Sequence, residues 1–167
     1  MLSFLRPFAI LASVSILLAS NASAQSTTSP TGDAVLIVTG AVDQTPTVFD
    51  LEMLMALDAT VIETTTIWTE GDQVFQGVAL NVLLDALGVT EGTLLAKAIN
   101  DYTVEIPVSD AVPSGPIIAY KLNDATMSVR DKGPLWVVYP YDSSPEYRSE
   151  VIYSRSIWQL DRIEVVE

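Results

Sequence analysis

The pattern of apolar and polar positions divides the chain into an early part that mixes strands with short helices and a late part built almost wholly of strands. At the start, an apolar run from Phe8 to Leu18 follows one cation, Arg6, and ends at the small residues Ala22-Ser23-Ala24. This is the pattern of a secretory signal peptide (residues 1–24) cleaved before Gln25, and the run is shorter than the roughly 20 residues a membrane span needs. Ser26 to Asp33 is small and polar, which predicts a flexible leader over 25–33. Ala34 to Val42 then predicts a first strand. Asp50 is placed to cap a short helix, LEMLMAL, with Leu51, Leu54 and Met55 on one face. The β-branched stretch Ala59 to Trp68 predicts a strand, and Gln76-Gly77-Val78 introduces a second amphipathic helix, LNVLLDAL, closed by Gly88.

From Thr93 onward the predicted strands are LLAKAI, YTVEIPV, IIAYKL and LWVVYP, then one long terminal strand through IYSRSIWQLDRIEVV. Asn100-Asp101, Pro113-Ser114-Gly115-Pro116 and Asn123-Asp124 supply the turns between them. Helices early and strands late predict a single α+β domain over 34–167 with a mostly β body, rather than a repeating βαβ sheet.

Composition removes many chemistries. The chain has 167 residues, with no Cys and no His. Structural zinc, histidine-ligated haem, iron–sulfur clusters, cysteine nucleophiles and Ser-His-Asp catalysis are therefore excluded. An exported domain without disulfides relies on its core and suits the bacterial periplasm. Eight basic residues face 21 acidic ones, a formal net charge of -13. Such a surface is a poor partner for nucleic acid or anionic lipid, both of which require a basic footprint.

Against that acidity, the stretch Arg130 to Asp142, RDKGPLWVVYPYD, places Arg130 and Lys132 on one turn before an apolar strand. Arg148, Arg155 and Arg162 follow, among Trp136, Tyr139, Tyr141, Tyr147, Tyr153 and Trp158. Cations and ring faces together suit a flat, hydrogen-bonding heterocycle, although Trp136 and Tyr139 fall on opposite parities of a strand, so one of them can be core. Asp101 can either close its own turn or accept from a ligand's amino groups. No pair of carboxylates is singled out by spacing for hydrolysis, and no loop has the spacing of a calcium site.

Several segments in order resemble the molybdopterin-binding domain of the sulfite oxidase family: FDLEMLMAL, Glu63-Thr64 followed by Trp68, FQGVALNVLLDALG, NDYTVEIPVSDA, IIAYKLND, RDKGPLWVVYP and SIWQLDRIEV. The resemblance implies an α+β fold with a mixed-sheet, barrel-like body and a pterin at the mouth of the sheet. Thr64 stands where family enzymes carry the cysteine that ligates molybdenum, and Trp136 where an arginine commonly stands. A threonine hydroxyl cannot replace a thiolate on the metal, which speaks against a molybdenum cofactor. The chain is more similar to exported, cysteine-lacking relatives, the PruR-type proteins, that bind pterins without metal and signal to a membrane-bound cyclic-di-GMP enzyme. That likeness implies a periplasmic pterin-binding protein whose partner is the periplasmic domain of an inner-membrane signalling protein. Its implied site comprises Thr64, a pocket wall of Trp68 with Tyr102 or Tyr141, Asp101 on the aminopyrimidine edge, and Arg130 and Lys132 on the pterin's side chain. Two other readings stand beside it: a molybdopterin-dependent oxidoreductase subunit, and a ligand-free interaction module.

Overall fold

Leu36 and Val38 are fully buried while their neighbours are half-exposed, so β1 (Ala34–Gly40) presents one face to the core. The computed structural model describes residues 30–43 and 45–167; the expected signal peptide and most of the leader lie outside the described residues. The last of the leader is tied to the domain, because the Thr31 and Gly32 N–H groups donate to Asp50 Oδ2 at 2.8 and 3.0 Å. Asp50 ends β2 (Thr47–Asp50) and caps α1 (Leu51–Met55), its Oδ1 accepting the Met53 N–H at 2.8 Å. The Gly32 and Met53 N–H groups hold this carboxyl below its ordinary value of 3.8.

The chain continues through β3 (Ala59–Thr64), β4 (Gln73–Ala79), α2 (Leu80–Ala86), β5 (Thr93–Ala98), β6 (Thr103–Pro107), β7 (Ile117–Leu122), β8 (Ala125–Thr126), β9 (Trp136–Val138), α3 (Glu150–Arg155) and β10 (Leu160–Val166). Five strands form one sheet in the order β2-β1-β10-β5-β6, with β1 and β10 parallel. The second sheet runs β3-β4-β7-β8, and β9 pairs with β7. Buried side chains of both sheets join those of α1 and α2 in one core. In the first sheet β1, β5 and β6 alternate between buried and more exposed positions, whereas β7 and β9 in the second are buried on successive residues and so on both faces.

The result is a mixed α/β fold of two open sheets, which corrects the expectation of a barrel-like body. Neither sheet closes: β2 and β6 bound the first, and β3 and β8 bound the second. The reason is local. The edge of β7 beyond β4 is shared between β8, two residues long, and β9, three residues long, and neither reaches β3 to complete a ring.

Three other expectations also change. Gln76-Gly77-Val78 belongs to strand β4, not to the entry of a helix, and Gly77 lies so close to the Ile118 carbonyl of β7 that a Cβ would collide with it. The long terminal strand is instead a helix followed by a strand. Ser149 Oγ accepts the Ile152 N–H at 3.4 Å and starts α3, overriding the β propensity of Val151, Ile152 and Tyr153. Trp136 and Tyr139, despite their opposite parities, are both fully buried.

Candidate functional site

The loop after β3 is shaped by its own hydroxyls. Thr66 Oγ1 accepts the Trp68 N–H at 3.1 Å and lies 2.7 Å from Thr69 Oγ1. This turn directs Trp68 into a group of rings that meet it edge-on: Trp136 at 5.8 Å, Tyr141 at 6.2 Å, Tyr153 at 5.7 Å and Trp158 at 5.6 Å between centroids. Trp136 and Trp158 are bridged through their backbones, and Trp136 Nε1 donates to the Ser156 carbonyl at 3.2 Å. Tyr141 donates to Ser156 Oγ at 2.7 Å, and Ser156 in turn donates to the Ile152 carbonyl of α3 at 2.8 Å.

Opposite this cluster the β5–β6 turn brings in Asn100 and Tyr102. Asn100 Oδ1 accepts the Tyr102 N–H at 3.2 Å, and Asp101 between them takes the left-handed conformation with φ 67°. Between the turn and the rings lies a cleft of about 390 Å3, whose walls include Trp68, Tyr102, Tyr153 and Trp158, with Asn100 and Gln159 as amide groups. Its lining contains no Asp, Glu, Lys or Arg. Aromatic walls with a few neutral donors and acceptors suit a small, flat, uncharged ring system, and the volume is at the lower end of the roughly 300–1,000 Å3 typical of small-molecule sites.

Of the residues singled out from the sequence, Trp68 and Tyr102 line this cleft. Tyr141 packs behind Trp68 and is buried, which pushes its hydroxyl up to about 12. Asp101 sits between two cleft residues, but Arg162 Nη2 donates to its Oδ1 at 3.0 Å. Lys132 Nζ lies 5.6 Å from the Trp136 ring and 5.8 Å from the Trp158 ring, beside the cleft wall. Arg130 is exposed on the 3-10 turn Val129–Asp131.

Thr64 lies away from the cleft lining, with 2 % of its surface exposed. Its hydroxyl donates to Asp142 Oδ2 at 3.1 Å and accepts the Asp142 N–H at 3.1 Å. Thr65 adds its N–H and its hydroxyl to the same carboxylate, and Arg148 stands 3.5 Å away. These bonds, the Thr65 N–H foremost, hold Asp142 below its ordinary value of 3.8. The Thr64 hydroxyl is thus engaged in this clasp, and the sequence has no cysteine. Among the described residues, no cluster of three or more acidic, His or Cys side chains could hold a metal ion.

The late arginines do not form a common basic site. Arg148 pairs with Asp142, Arg155 with Asp110, and Arg162 with Asp101 and Asp161. Tyr153 and Trp158 stood among the late aromatics that suit a heterocycle but not in the implied site, and Asn100 and Gln159 were not singled out as site residues. The signal for Tyr153 was the Ser149-Glu150 helix start, hidden by β-branched neighbours; that for Asn100 was its place beside Asp101 in a tight turn. No protein-family model matches this chain, and no curated protein is significantly similar to it.

Proposed function

We propose that the protein binds a flat heterocycle without metal in the aromatic cleft, a pterin being the class to which the sequence resemblance points. The observation that carries this reading is the wall of Trp68, Tyr102, Tyr153 and Trp158 around about 390 Å3 of uncharged space. Ring faces there offer stacking, worth about 1–3 kcal/mol per ring in base–aromatic contacts. The amides of Asn100 and Gln159 offer both donors and acceptors, as the edge of an aminopyrimidine requires. Exported to the periplasm, the protein reports occupancy to the periplasmic domain of an inner-membrane cyclic-di-GMP signalling protein. The resemblance alone suggests that partner.

Oxidoreductase chemistry at molybdenum gains no support from Thr64, whose hydroxyl is held by Asp142. The test is a titration of the purified protein with reduced and oxidised pterins, followed by tryptophan emission, since two of its three tryptophans line the cleft. Saturable quenching by one pterin per chain is the expected result. Failure of every pterin to bind would leave the interaction-module reading in its place.

A further inference from the structure

The two faces of the first sheet differ in what they meet. Leu36, Val38, Leu94, Ala96, Ile106 and Ile163 point into the core and are buried. Alternate residues form the outer face, where Ile37, Leu95, Lys97 and Arg162 are half-buried and Glu105 and Glu164 exposed. The strand registers set this face out in two rows. Val48, Ile37, Arg162, Lys97 and Thr103 run across the sheet from β2 to β6, and Thr39, Glu164, Leu95 and Glu105 run beside them two positions along each strand. Five of these side chains, Ile37, Leu95, Lys97, Arg162 and Glu164, border a single shallow depression of about 110 Å3.

One row thus carries two cations and the other two carboxylates. The rows do not neutralise each other within the chain: Arg162 pairs with Asp101 and Asp161, and Lys97, Glu105 and Glu164 make no ion pair among the described residues. Arg162 and Lys97 also stand directly opposite each other, an unfavourable arrangement of like charges in a sheet left to itself. The surface that complements this face carries the same two rows in reverse order, with aliphatic groups between them.

We propose that a second copy of the chain supplies that surface. A twofold axis running across the strands between the rows lays the Arg162–Lys97 row of each copy on the Glu164–Glu105 row of the other. Lys97 then stands over Leu95 of the second copy, between its Glu164 and Glu105. The face is self-complementary, as a twofold interface requires. Strands about 4.8 Å apart, each presenting about 20 Å of length, give about 500 Å2 in outline per copy, and two copies reach the roughly 1,000 Å2 at which a specific interface begins. The net charge of -13 opposes association, so the dimer is weak, with a dissociation constant of about 100 μM.

The experiment is analytical ultracentrifugation of the purified protein from about 10 to about 1,000 μM, on the wild type, K97E, E105K/E164K and an equal mixture of the two variants, with melting curves to show that each is folded. The wild type should dimerise with concentration, and each variant alone should weaken the dimer at least about tenfold. General repulsion falls in E105K/E164K, so a loss there marks the specific rows rather than net charge. The mixture, in which every reversed charge again meets its opposite, should dimerise as the wild type does. A wild type that stays monomeric throughout overturns the proposal and leaves the face to a different protein. A dimer that survives both charge reversals, or a mixture that stays monomeric, overturns it as well.

Discussion

The Thr64–Asp142 clasp and the Trp158 cleft each draw on the segment from Thr64 to Trp68, yet they differ in what they leave unsatisfied. The Thr64 and Thr65 hydroxyls are both engaged by Asp142. Trp68, a few positions later, contributes to a cleft in which Trp158 is 37 % and Tyr102 57 % exposed. Large rings exposed around a concavity are an incomplete contact, whereas a buried hydroxyl with its partners is a finished one. Thr64 is structural here, and the open surface lies in the neighbouring aromatic wall.

The most severe way to break this contrast is to remove the buried ring behind the cleft wall. Trp136→Ala takes a fully buried side chain from between Phe75, Trp68 and Trp158 and should destabilise the fold by about 3–5 kcal/mol in urea unfolding, abolishing the cleft with it. Trp158→Ala sharpens the contrast instead: pterin affinity should fall by about 1–3 kcal/mol, with a smaller loss of stability because the ring is partly in solvent.

Asp142→Asn should do the reverse, lowering the thermal midpoint at neutral pH while leaving pterin affinity within about twofold. Its pH dependence has a definite sign. A carboxyl whose folded pKa is depressed contributes stability that is present above its unfolded value and lost as pH falls through the folded one. The wild type should therefore lose stability as pH drops below about 3.8, with Asp50 contributing to the same limb, and Asp142→Asn should flatten that limb. Asp101→Asn, which tolerates the left-handed backbone as Asp does, should have the smallest effect, about 0.2–1 kcal/mol of stability, because the pair with Arg162 is largely exposed. Affinity in that variant should not change, since the carboxylate is already engaged.

Local rules carried much of the fold. Asp50 was readable as a cap, Gly88 as a helix terminator with φ 72°, and the strands β5, β6 and β7 from their alternation or apolar runs. Sheet closure was not readable, because it depends on which strands share an edge of β7, a non-local matter of register. The helix α3 was masked because Val151, Ile152 and Tyr153 favour strands in isolation, and only the Ser149 cap and packing decide otherwise. The cleft was half legible. Trp68 and Tyr102 could be chosen from the sequence, but which of the late aromatics reach the cleft, Tyr153 and Trp158, and the pairing of each late arginine with a separate aspartate depend on tertiary packing.

The central claim is that the aromatic cleft, and not the clasp, is the ligand site. It is tested most directly by titrating one reduced pterin into the wild type, Trp158→Ala and Asp142→Asn in parallel, with melting curves to show that each protein is folded. The account predicts saturable binding that is weakened at least about fivefold in Trp158→Ala and nearly unchanged in Asp142→Asn. Equal binding by wild type and Trp158→Ala, or a loss confined to folded Asp142→Asn, would contradict it.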